Sequence, residues 1–224
     1  MNKFAVIVAG GSGTRMGNGI PKQFRSLCGR PVLWWSIKAF HDEDPDTRLI
    51  IVLPKDFITL WKDFYSTLPE KERFPHEVVE GGDSRSASVR NGLSLVEDGS
   101  IVAVHDGARP LISANVISKG WEAAIKNGAA VPVVPVTDSL RKVTGSENEA
   151  VDRSLYFAVQ TPQVFLSSLL KNAYKEAEGK VFTDDASVVE ACGNKIALFE
   201  GHPVNIKITN PKDMAIATVI LKDA

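Results

Sequence analysis

Residues 4–24 read FAVIVAGGSGTRMGNGIPKQF, a short apolar run followed by a loop that contains five glycines. The run FAVIV has the length and the β-branched content of a buried strand. Glycine loses more conformational entropy on folding than any other residue, so a cluster of glycines indicates that the backbone approaches another group closely. Backbone N–H groups exposed in this way form a cradle for an anion, and phosphate is the anion we expect. The stretch therefore predicts a first strand that leads into a phosphate-binding loop.

Further apolar runs follow along the chain, separated by stretches in which apolar residues recur at helical spacing. Near-continuous apolar strands that alternate with helices are typical of a sheet covered on both faces. We therefore predict an α/β fold that is Rossmann-like, with a mostly parallel, mixed sheet and helices on both faces. The predicted strands after the first are Leu49–Leu53, Glu77–Glu80, Ile101–His105, Ala130–Val136, Ile196–Phe199 and Asn205–Thr209; helical spacing is clearest at Leu33, Ile37 and Phe40, at Val89, Leu93 and Val96, and in a last helix that begins at Pro211.

One segment interrupts this alternation. Residues 137–156 read TDSLRKVTGSENEAVDRSLY, which is polar and too long for a routine connection. A protruding β-arm that a partner subunit stabilises explains the segment better than disorder does. We predict a single domain over residues 1–224, with a dimerisation arm at about 137–156, in a homodimer.

The composition limits the classes of function. The chain has 224 residues, of which 44% are hydrophobic and 24% are charged, as in ordinary globular proteins. Its 26 basic and 27 acidic residues give a formal net charge of −1, which argues against a general nucleic-acid or membrane-surface binder. The N-terminus resembles no signal peptide, and no apolar stretch is long enough to span a bilayer. We expect a cytoplasmic protein with no nucleic-acid or membrane partner and two reduced thiols, Cys28 and Cys192.

The glycine-rich loop does not fit the two most familiar nucleotide motifs. A Walker A loop requires Gly-Lys followed by Ser or Thr, whereas Lys22 lies between Pro21 and Gln23. A dinucleotide fingerprint requires a third glycine where Met16 stands. What remains is a glycine cradle with two cations, Arg15 and Lys22, seven residues apart. This arrangement suits a triphosphate, because in phosphoryl transfer the protein mainly positions the reactants and stabilises charge.

Taken with six further motifs in order, the loop resembles the signature of the cytidylyltransferases that make CDP-alcohols from CTP and a polyol phosphate. The resemblance extends over nearly the whole chain. Within this family, the AVDR and FTDDAS forms are closer to the branch that acts on 2-C-methyl-D-erythritol 4-phosphate than to the ribitol-5-phosphate branch. The six motifs are GGDSRSASV at 81–89, VHDGARP at 104–110, AVDR at 150–153, QTPQ at 160–163, FTDDAS at 182–187 and NIKIT at 205–209.

The resemblance implies a nucleotide-binding set and an acceptor-binding set. Asp106 ends a predicted strand, where its carboxylate could hold a magnesium ion or a ribose hydroxyl, and the residues leave both possibilities open. Arg109 could face a phosphate or simply pair with Asp106, and Asp83 or Ser84 could simply cap a helix. Gly82, Asp83 and Ser88 are expected around the cytosine. The nucleotide-binding residues are Ala9, Gly10, Gly11, Ser12, Gly13, Gly82, Asp83, Ser88, Asp106 and Gly107; those of the acceptor site are Asp106, Arg109, Ser139, Arg153, Thr161, Thr183 and Lys207.

Four cations are expected to act on the reacting phosphates. Arg15 and Lys22 would stabilise charge at the α-phosphorus, while Arg153 and Lys207 would orient the acceptor phosphate. That phosphate is already ionised near neutral pH, so no general base is assigned. Ser139 stands where many family members have Thr, which preserves the hydroxyl. The histidines are expected to be structural or exposed, since His41, His76, His105 and His202 form no metal-binding spacing.

The predicted reaction is the transfer of CMP from Mg²⁺-bound CTP to 2-C-methyl-D-erythritol 4-phosphate, with release of pyrophosphate, in the non-mevalonate isoprenoid pathway. The nearest alternative is a ribitol-5-phosphate cytidylyltransferase that makes CDP-ribitol. A more distant alternative is a sugar-nucleotide-dependent glycosyltransferase or a non-catalytic nucleotide sensor. A glycosyltransferase usually carries an Asp-x-Asp metal motif, and the stretch HDGAR lacks the second carboxylate.

Overall fold

The first apolar run lies in the interior of a large sheet in the computed structural model, which describes residues 1–10 and 21–223. Residues 4–7 are fully buried, on both faces of the sheet, as predicted for a strand covered by helices, and Val8 at the end of the strand is partly buried. The strands are β1 Lys3–Val8, β2 Ser26–Leu27, β3 Arg30–Pro31, β4 Arg48–Leu53, β5 Glu77–Glu80, β6 Ile101–Asp106, β7 Ala129–Pro135, β8 Arg141–Thr144, β9 Glu147–Ala150, β10 Phe157–Val159, β11 Gln163–Leu166 and β12 Ala197–Glu200. The helices are α1 Val32–Glu43, α2 Lys55–Thr67, α3 Arg85–Leu93, α4 Ala114–Asn127, α5 Ser167–Glu176, α6 Asp185–Ala191 and α7 Pro211–Lys222.

The main sheet has eight strands in the described part of the chain, in the order β10-β7-β11-β6-β1-β4-β5, with β12 paired to β7. Strands β1, β4, β5 and β6 pair in parallel, as do β7 and β12. Strands β10 and β11 pair antiparallel with their neighbours. The predicted mostly parallel, mixed sheet is confirmed. The carboxyl ends of β1, β5 and β6 meet at one edge, where ligands bind in open α/β sheets.

Alternation along β1 sends its side chains to two separate cores. Ala5 and Ile7 pack with residues of α1, α2 and α4, whereas Phe4 and Val6 pack with residues of α3, α5 and α6. Both sets are buried, so the sheet is covered on both faces, and successive side chains of one strand reach opposite layers. The predicted two-faced α/β architecture is thus confirmed.

The sequence-predicted arm forms the hairpin β8–β9. Its strands pair antiparallel from Arg141 opposite Ala150 to Thr144 opposite Glu147, and every residue of both strands is exposed. Gly145 follows β8 with a φ of 59°, a conformation that suits glycine in a tight hairpin turn. The predicted protruding β-arm is therefore present.

One predicted strand is wrong. Residues 205–209 are not part of the sheet, although the backbone N–H of Ile208 donates to the carbonyl of Ala108 at 2.8 Å. Side chains replace the missing ladder, since Arg109 Nη1 and Gln160 Nε2 both donate to the Asn205 carbonyl. The pattern NIKIT resembles a strand because it alternates. Instead of a neighbouring strand, polar side chains of other segments form hydrogen bonds with some of its backbone groups.

No helix among the described residues is long and apolar enough to cross a membrane. The predicted loop residues Gly11, Ser12, Gly13 and Arg15 lie outside the residues that the structure describes.

Candidate active site

A pocket of about 400 Å³ lies at the carboxyl edge of the parallel strands. This volume falls within the usual range of small-molecule sites, ~300–1,000 Å³. The ends of β1 and β6, the N-terminus of α3 and the segment around Lys207 form its wall. The lining residues are Val8, Ala9, Gly10, Lys22, Gln23, Gly82, Asp83, Ser84, Arg85, Ser88, Asp106, Ala108 and Lys207.

Lys22 lines the pocket from a segment that packs against the end of β1. A short 3₁₀ helix spans Lys22–Phe24, directly after Pro21, whose fixed φ suits the start of such a turn. The buried Gln23 side chain donates through Nε2 to the carbonyl of Ala9 at 2.5 Å. Gln23 is thereby held against Ala9, and Lys22 lies beside the last residues of β1.

The glycines on the opposite side of the pocket permit close packing around Ser88. Its hydroxyl accepts a hydrogen bond from the Gly82 N–H at 3.1 Å. A Cβ atom at Gly10 would lie only 3.1 Å from Ser88 Oγ, and one at Gly82 would lie 2.4 Å from the Cβ of Ala87. Larger residues would therefore displace the start of α3. Ser84 caps this helix by accepting the Ala87 N–H at 3.0 Å, so the predicted capping role is fulfilled by Ser84.

Asp106 is the electrostatic centre of the pocket. Lys207 Nζ lies 2.8 Å from its Oδ2, Arg109 Nε lies 3.7 Å from the same oxygen, and Arg85 Nε lies 3.7 Å from Oδ1. Burial by itself would raise the pKa of Asp106, but the positive charges of Lys207 and Arg85 outweigh burial and lower the pKa to about 2. The carboxylate is therefore ionised throughout the physiological range.

Arg109 lies close to Asp106 but does not line the pocket. Its Nη1 donates to the Asn205 carbonyl at 2.8 Å, and Asn205 is fully buried. The Asn205 side chain in turn donates to the Thr161 carbonyl at 2.9 Å. These bonds fix the segment that carries Lys207 two residues later, so Arg109 pairs with Asp106 and also supports Lys207.

A buried hydrogen-bond chain lies behind Asp106. Thr161 Oγ1 accepts the backbone N–H of Asp106 at 3.1 Å and lies 3.1 Å from Nδ1 of His105. Nε2 of His105 lies 3.2 Å from the Arg109 carbonyl. Because burial lowers the pKa of His105 to about 4, the ring is neutral at pH 7. The Thr161 hydroxyl can therefore donate to Nδ1 while Nε2–H donates to Arg109, which connects QTPQ to the end of β6.

The structure brings most of the predicted nucleotide residues together, and Thr161, Arg109 and Gly107 lie close to Asp106 without lining the pocket. Ser139, Thr183 and Arg153 are exposed and lie outside its lining. Arg153 instead donates to the carbonyl of Thr137. The predicted residues that line the pocket are Ala9, Gly10, Lys22, Gly82, Asp83, Ser88, Asp106 and Lys207.

Sequence reasoning did not single out Gln23, Arg85 or Asp185. Arg85 carried a usable signal, because a cation in the first turn of a helix opposes the helix dipole and needs a compensating anion. That anion is Asp185, 100 residues further along the chain, whose two carboxylate oxygens accept hydrogen bonds from Arg85. No comparable sequence pattern indicates the role of Gln23. Its hydrogen-bond partner is the backbone carbonyl of Ala9, and every residue has such a carbonyl.

An open α/β sheet whose carboxyl edge carries a cation-rich pocket around one ionised carboxylate suits the binding of a phosphorylated nucleotide, as a nucleotidyltransferase requires. The family model described as "IspD: 2-C-methyl-D-erythritol 4-phosphate cytidylyltransferase" matches residues 4–223. The chain belongs to this family and is a cytidylyltransferase. The sequence-based resemblance and enzyme class are thereby confirmed.

Named relatives and solved structures agree with this assignment. The chain is 45% identical to the 2-C-methyl-D-erythritol 4-phosphate cytidylyltransferase of Phocaeicola vulgatus, covering 99% of this chain and 100% of that protein. It is 46% identical to the enzyme of the same name from Porphyromonas gingivalis, over 98% and 97% of the two chains. The crystal structure of the Thermus thermophilus enzyme superposes with a TM-score of 0.80 at 34% identity, covering 99% of this chain and 100% of that one.

Proposed function

We propose that this chain transfers CMP from CTP to 2-C-methyl-D-erythritol 4-phosphate, which yields 4-diphosphocytidyl-2-C-methyl-D-erythritol and pyrophosphate for isoprenoid biosynthesis. The observation that carries this proposal is the shared pocket of Lys22 and Lys207 around Asp106. Two cations from distant parts of the chain can serve two different phosphates there. One is the α-phosphate of CTP, and the other is the phosphate of the acceptor.

In the proposed reaction, an oxygen of the acceptor phosphate attacks the α-phosphorus of CTP in line with the leaving group. The bond from the α-phosphorus to the bridging oxygen breaks, and pyrophosphate leaves with that electron pair. Lys22, together with Arg15, would stabilise the negative charge that builds up around the α-phosphorus. Lys207 would hold the acceptor phosphate and screen its repulsion from the triphosphate. Holding two anions in line can supply several kcal/mol of the barrier reduction.

The ionised carboxylate of Asp106 fits a magnesium ion that arrives with the nucleotide, because the phosphates would supply the other ligands. No group of three or more metal-ligating side chains occurs among residues 1–10 and 21–223, so these residues offer no complete cage. Magnesium in nucleotide sites is commonly bound by one or two carboxylates together with substrate phosphates, and Asp106 is ionised. When bound, the ion would neutralise charge on the phosphates. Asp106 would hold it, and Lys207 would then move from the carboxylate to the acceptor phosphate.

Asp106 could hold the ribose instead. If so, Asp106→Asn should reduce the preference for CTP over 2′-deoxy-CTP and leave the Mg²⁺ concentration required for half-maximal rate unchanged. A raised Mg²⁺ requirement with unchanged discrimination supports the metal role.

We further propose that residues 1–224 act as one domain within a homodimer, since strands between residues 3 and 200 share one sheet. Arg153 and Ser139 lie outside the pocket of their own chain, and apolar side chains are exposed near the arm, with Leu155 77% and Val143 69% exposed. An arm that crosses to a partner would cover these side chains and place Arg153 at the partner's acceptor site. Thr183 would line the acceptor site from the segment before α6.

The near-neutral net charge of −1 and two free cysteines support work in the cytoplasm on small molecules, without nucleic-acid or membrane partners.

The substrate is tested by measuring pyrophosphate release with CTP, Mg²⁺ and each of two acceptors. We expect kcat/KM to be at least about tenfold higher for 2-C-methyl-D-erythritol 4-phosphate than for ribitol 5-phosphate, because a site built for particular hydroxyls discriminates strongly. A higher value for ribitol 5-phosphate would contradict the proposed acceptor and leave the transfer chemistry intact. Chelating Mg²⁺ in the same assay should abolish the rate.

A further inference from the structure

Arg85 occupies an unusual position in the pocket. It is the first residue of α3, where the helix dipole disfavours a positive charge, and its side chain lines the pocket. Nη1 donates to Asp185 Oδ1 at 3.0 Å and Nη2 donates to Oδ2 at 2.6 Å. The two-pronged contact fixes the plane of the guanidinium. It also leaves the Nε edge facing Asp106, 3.7 Å from Oδ1.

Asp185 is a fixed anchor. It is fully buried, and besides Arg85 it accepts the hydroxyl of Tyr174 at 2.6 Å. Its backbone N–H donates to Gln163 Oε1 at 3.1 Å. Burial and the neighbouring Asp185 charge raise the pKa of Tyr174, so the phenol keeps the proton that it donates. Because a fully satisfied buried polar network is rigid, we expect the Asp185 carboxylate, which accepts three side-chain hydrogen bonds, to keep its position when ligands enter the pocket.

The three cations around Asp106 are therefore not equivalent. Lys207 is 41% exposed at its side chain and can turn toward a ligand. Arg109 supports the Lys207 segment through the Asn205 carbonyl. Only Arg85 holds both terminal nitrogens on a buried carboxylate. When a bound phosphate attracts Lys207, Arg85 and Arg109 stay beside Asp106, and of these two only Arg85 is held by a buried carboxylate.

We propose that Arg85 is a positioning residue, which Asp185 holds in place and which keeps the Asp106 carboxylate oriented for the metal-bound nucleotide. The inference rests on the proposed role of Asp106 in nucleotide binding. Arg85 acts through Asp106, and Asp185 acts through Arg85 from outside the pocket. The two motifs GGDSRSASV and FTDDAS thus share a function that neither shows separately.

The test is calorimetric binding of CTP in the presence of Mg²⁺, combined with a double-mutant cycle. Arg85→Gln should weaken CTP binding at least about tenfold, which corresponds to ~1.4 kcal/mol. In an Asp106→Asn background, Arg85→Gln should change the CTP dissociation constant less than about threefold, because the carboxylate that Arg85 orients is absent. Arg85→Lys keeps the charge but cannot make the two-pronged bond, so it should not restore affinity.

A second variant distinguishes weaker CTP binding from misfolding. Asp185→Asn removes a charge outside the pocket and should also weaken CTP binding, with a folded circular-dichroism spectrum. The matched control is Arg30→Gln, which breaks a similar arginine–carboxylate pair with Glu72 away from the pocket. This control should leave the CTP dissociation constant unchanged.

Equal losses from Arg85→Gln in the wild-type and Asp106→Asn backgrounds would overturn the inference, since Arg85 would then act independently of Asp106. So would a stability loss in Asp185→Asn without weaker CTP binding. Steady-state assays separate this inference from the proposed function. A wild-type protein that binds CTP but forms no product would contradict the proposed function, while the binding cycle would still decide the role of Arg85.

Discussion

At the scale of single residues, the pocket concentrates positive charge on few side chains. Lys22 and Lys207 come from opposite ends of the chain, and Asp106 lies between neighbouring cations. The sequence predicted these residues because each falls in a motif that resembles one of the family. It did not predict that Arg109 would be tied to a backbone carbonyl, because that contact joins residues almost a hundred positions apart.

The first prediction concerns the cations of the glycine-rich loop. Lys22→Ala and Arg15→Ala should each lower kcat by about 10²–10³, the usual cost of losing one preorganised group that stabilises transition-state charge. Thermal unfolding should be nearly unchanged. Lys126→Ala, at an exposed position in α4, is the control and should retain full kcat. Near-normal turnover in either loop variant would contradict a role at the α-phosphorus.

The second prediction concerns His105. Its pKa is lowered to about 4 by burial, against a value of ~6.5 in an unfolded chain. Between these values the unfolded chain holds a proton that the folded chain does not, so stability is complete above pH ~6.5 and falls as the pH decreases toward 4.

From pH 7 to pH 5 the wild type should lose about 2 kcal/mol more unfolding free energy than His105→Gln, whose amide does not titrate. Urea unfolding at both pH values measures this difference. His202→Gln, at an exposed histidine, is the control and should behave as the wild type does. Parallel pH curves for wild type and His105→Gln would show that burial of His105 does not lower its pKa.

At the scale of elements, two helices pack closely against the sheet at positions where each has a glycine. A Cβ atom at Gly92 of α3 would lie 2.5 Å from Val6 Cγ1 and 3.0 Å from Val52 Cγ2. One at Gly120 of α4 would lie 2.9 Å from Val164 Cγ2. The position of α3 sets where Ser88 and Arg85 stand. Close packing far from the ligand therefore helps to place pocket residues.

The third prediction tests that packing. Alanine favours a helix over glycine by ~1 kcal/mol, but overpacking a buried site costs ~1–3 kcal/mol. We expect Gly92→Ala to lower the free energy of unfolding by about 1 kcal/mol in urea titrations. Combining it with Val6→Ala should cost less than the sum of the single changes, since the smaller side chain leaves room. Arg90→Ala, at an exposed position two residues earlier in the same helix, should stay within about 0.5 kcal/mol of wild type.

At the scale of the whole molecule, Arg153 and Ser139, which the sequence predicts for the acceptor site, lie outside the pocket of their own chain. Arg153 and Ser139 are exposed beside an apolar surface, whereas Lys22 and Lys207 line the pocket. The proposed dimer would complete the site by joining the pocket of one chain to the arm of another.

The fourth prediction follows from that shared site. Arg153→Ala and Lys22→Ala subunits should each be nearly inactive alone. After subunit exchange, the mixture should recover about a quarter of the wild-type rate, since half of the dimers are hybrids with one intact site. Mass spectrometry of isotope-labelled chains confirms the exchange. No recovery in exchanged dimers would indicate that each site is built from one chain.

The sequence by itself determined the strand–helix alternation, the exposed arm and the family, because each depends on local periodicity or on motifs in order. Only the tertiary structure decided that residues 205–209 leave the sheet, that Thr161 is hidden behind Asp106, and that Arg85 is anchored by Asp185. These outcomes depend on contacts between distant segments. A buried polar group takes whichever partner the folded chain brings within about 3 Å, and no local pattern specifies that partner.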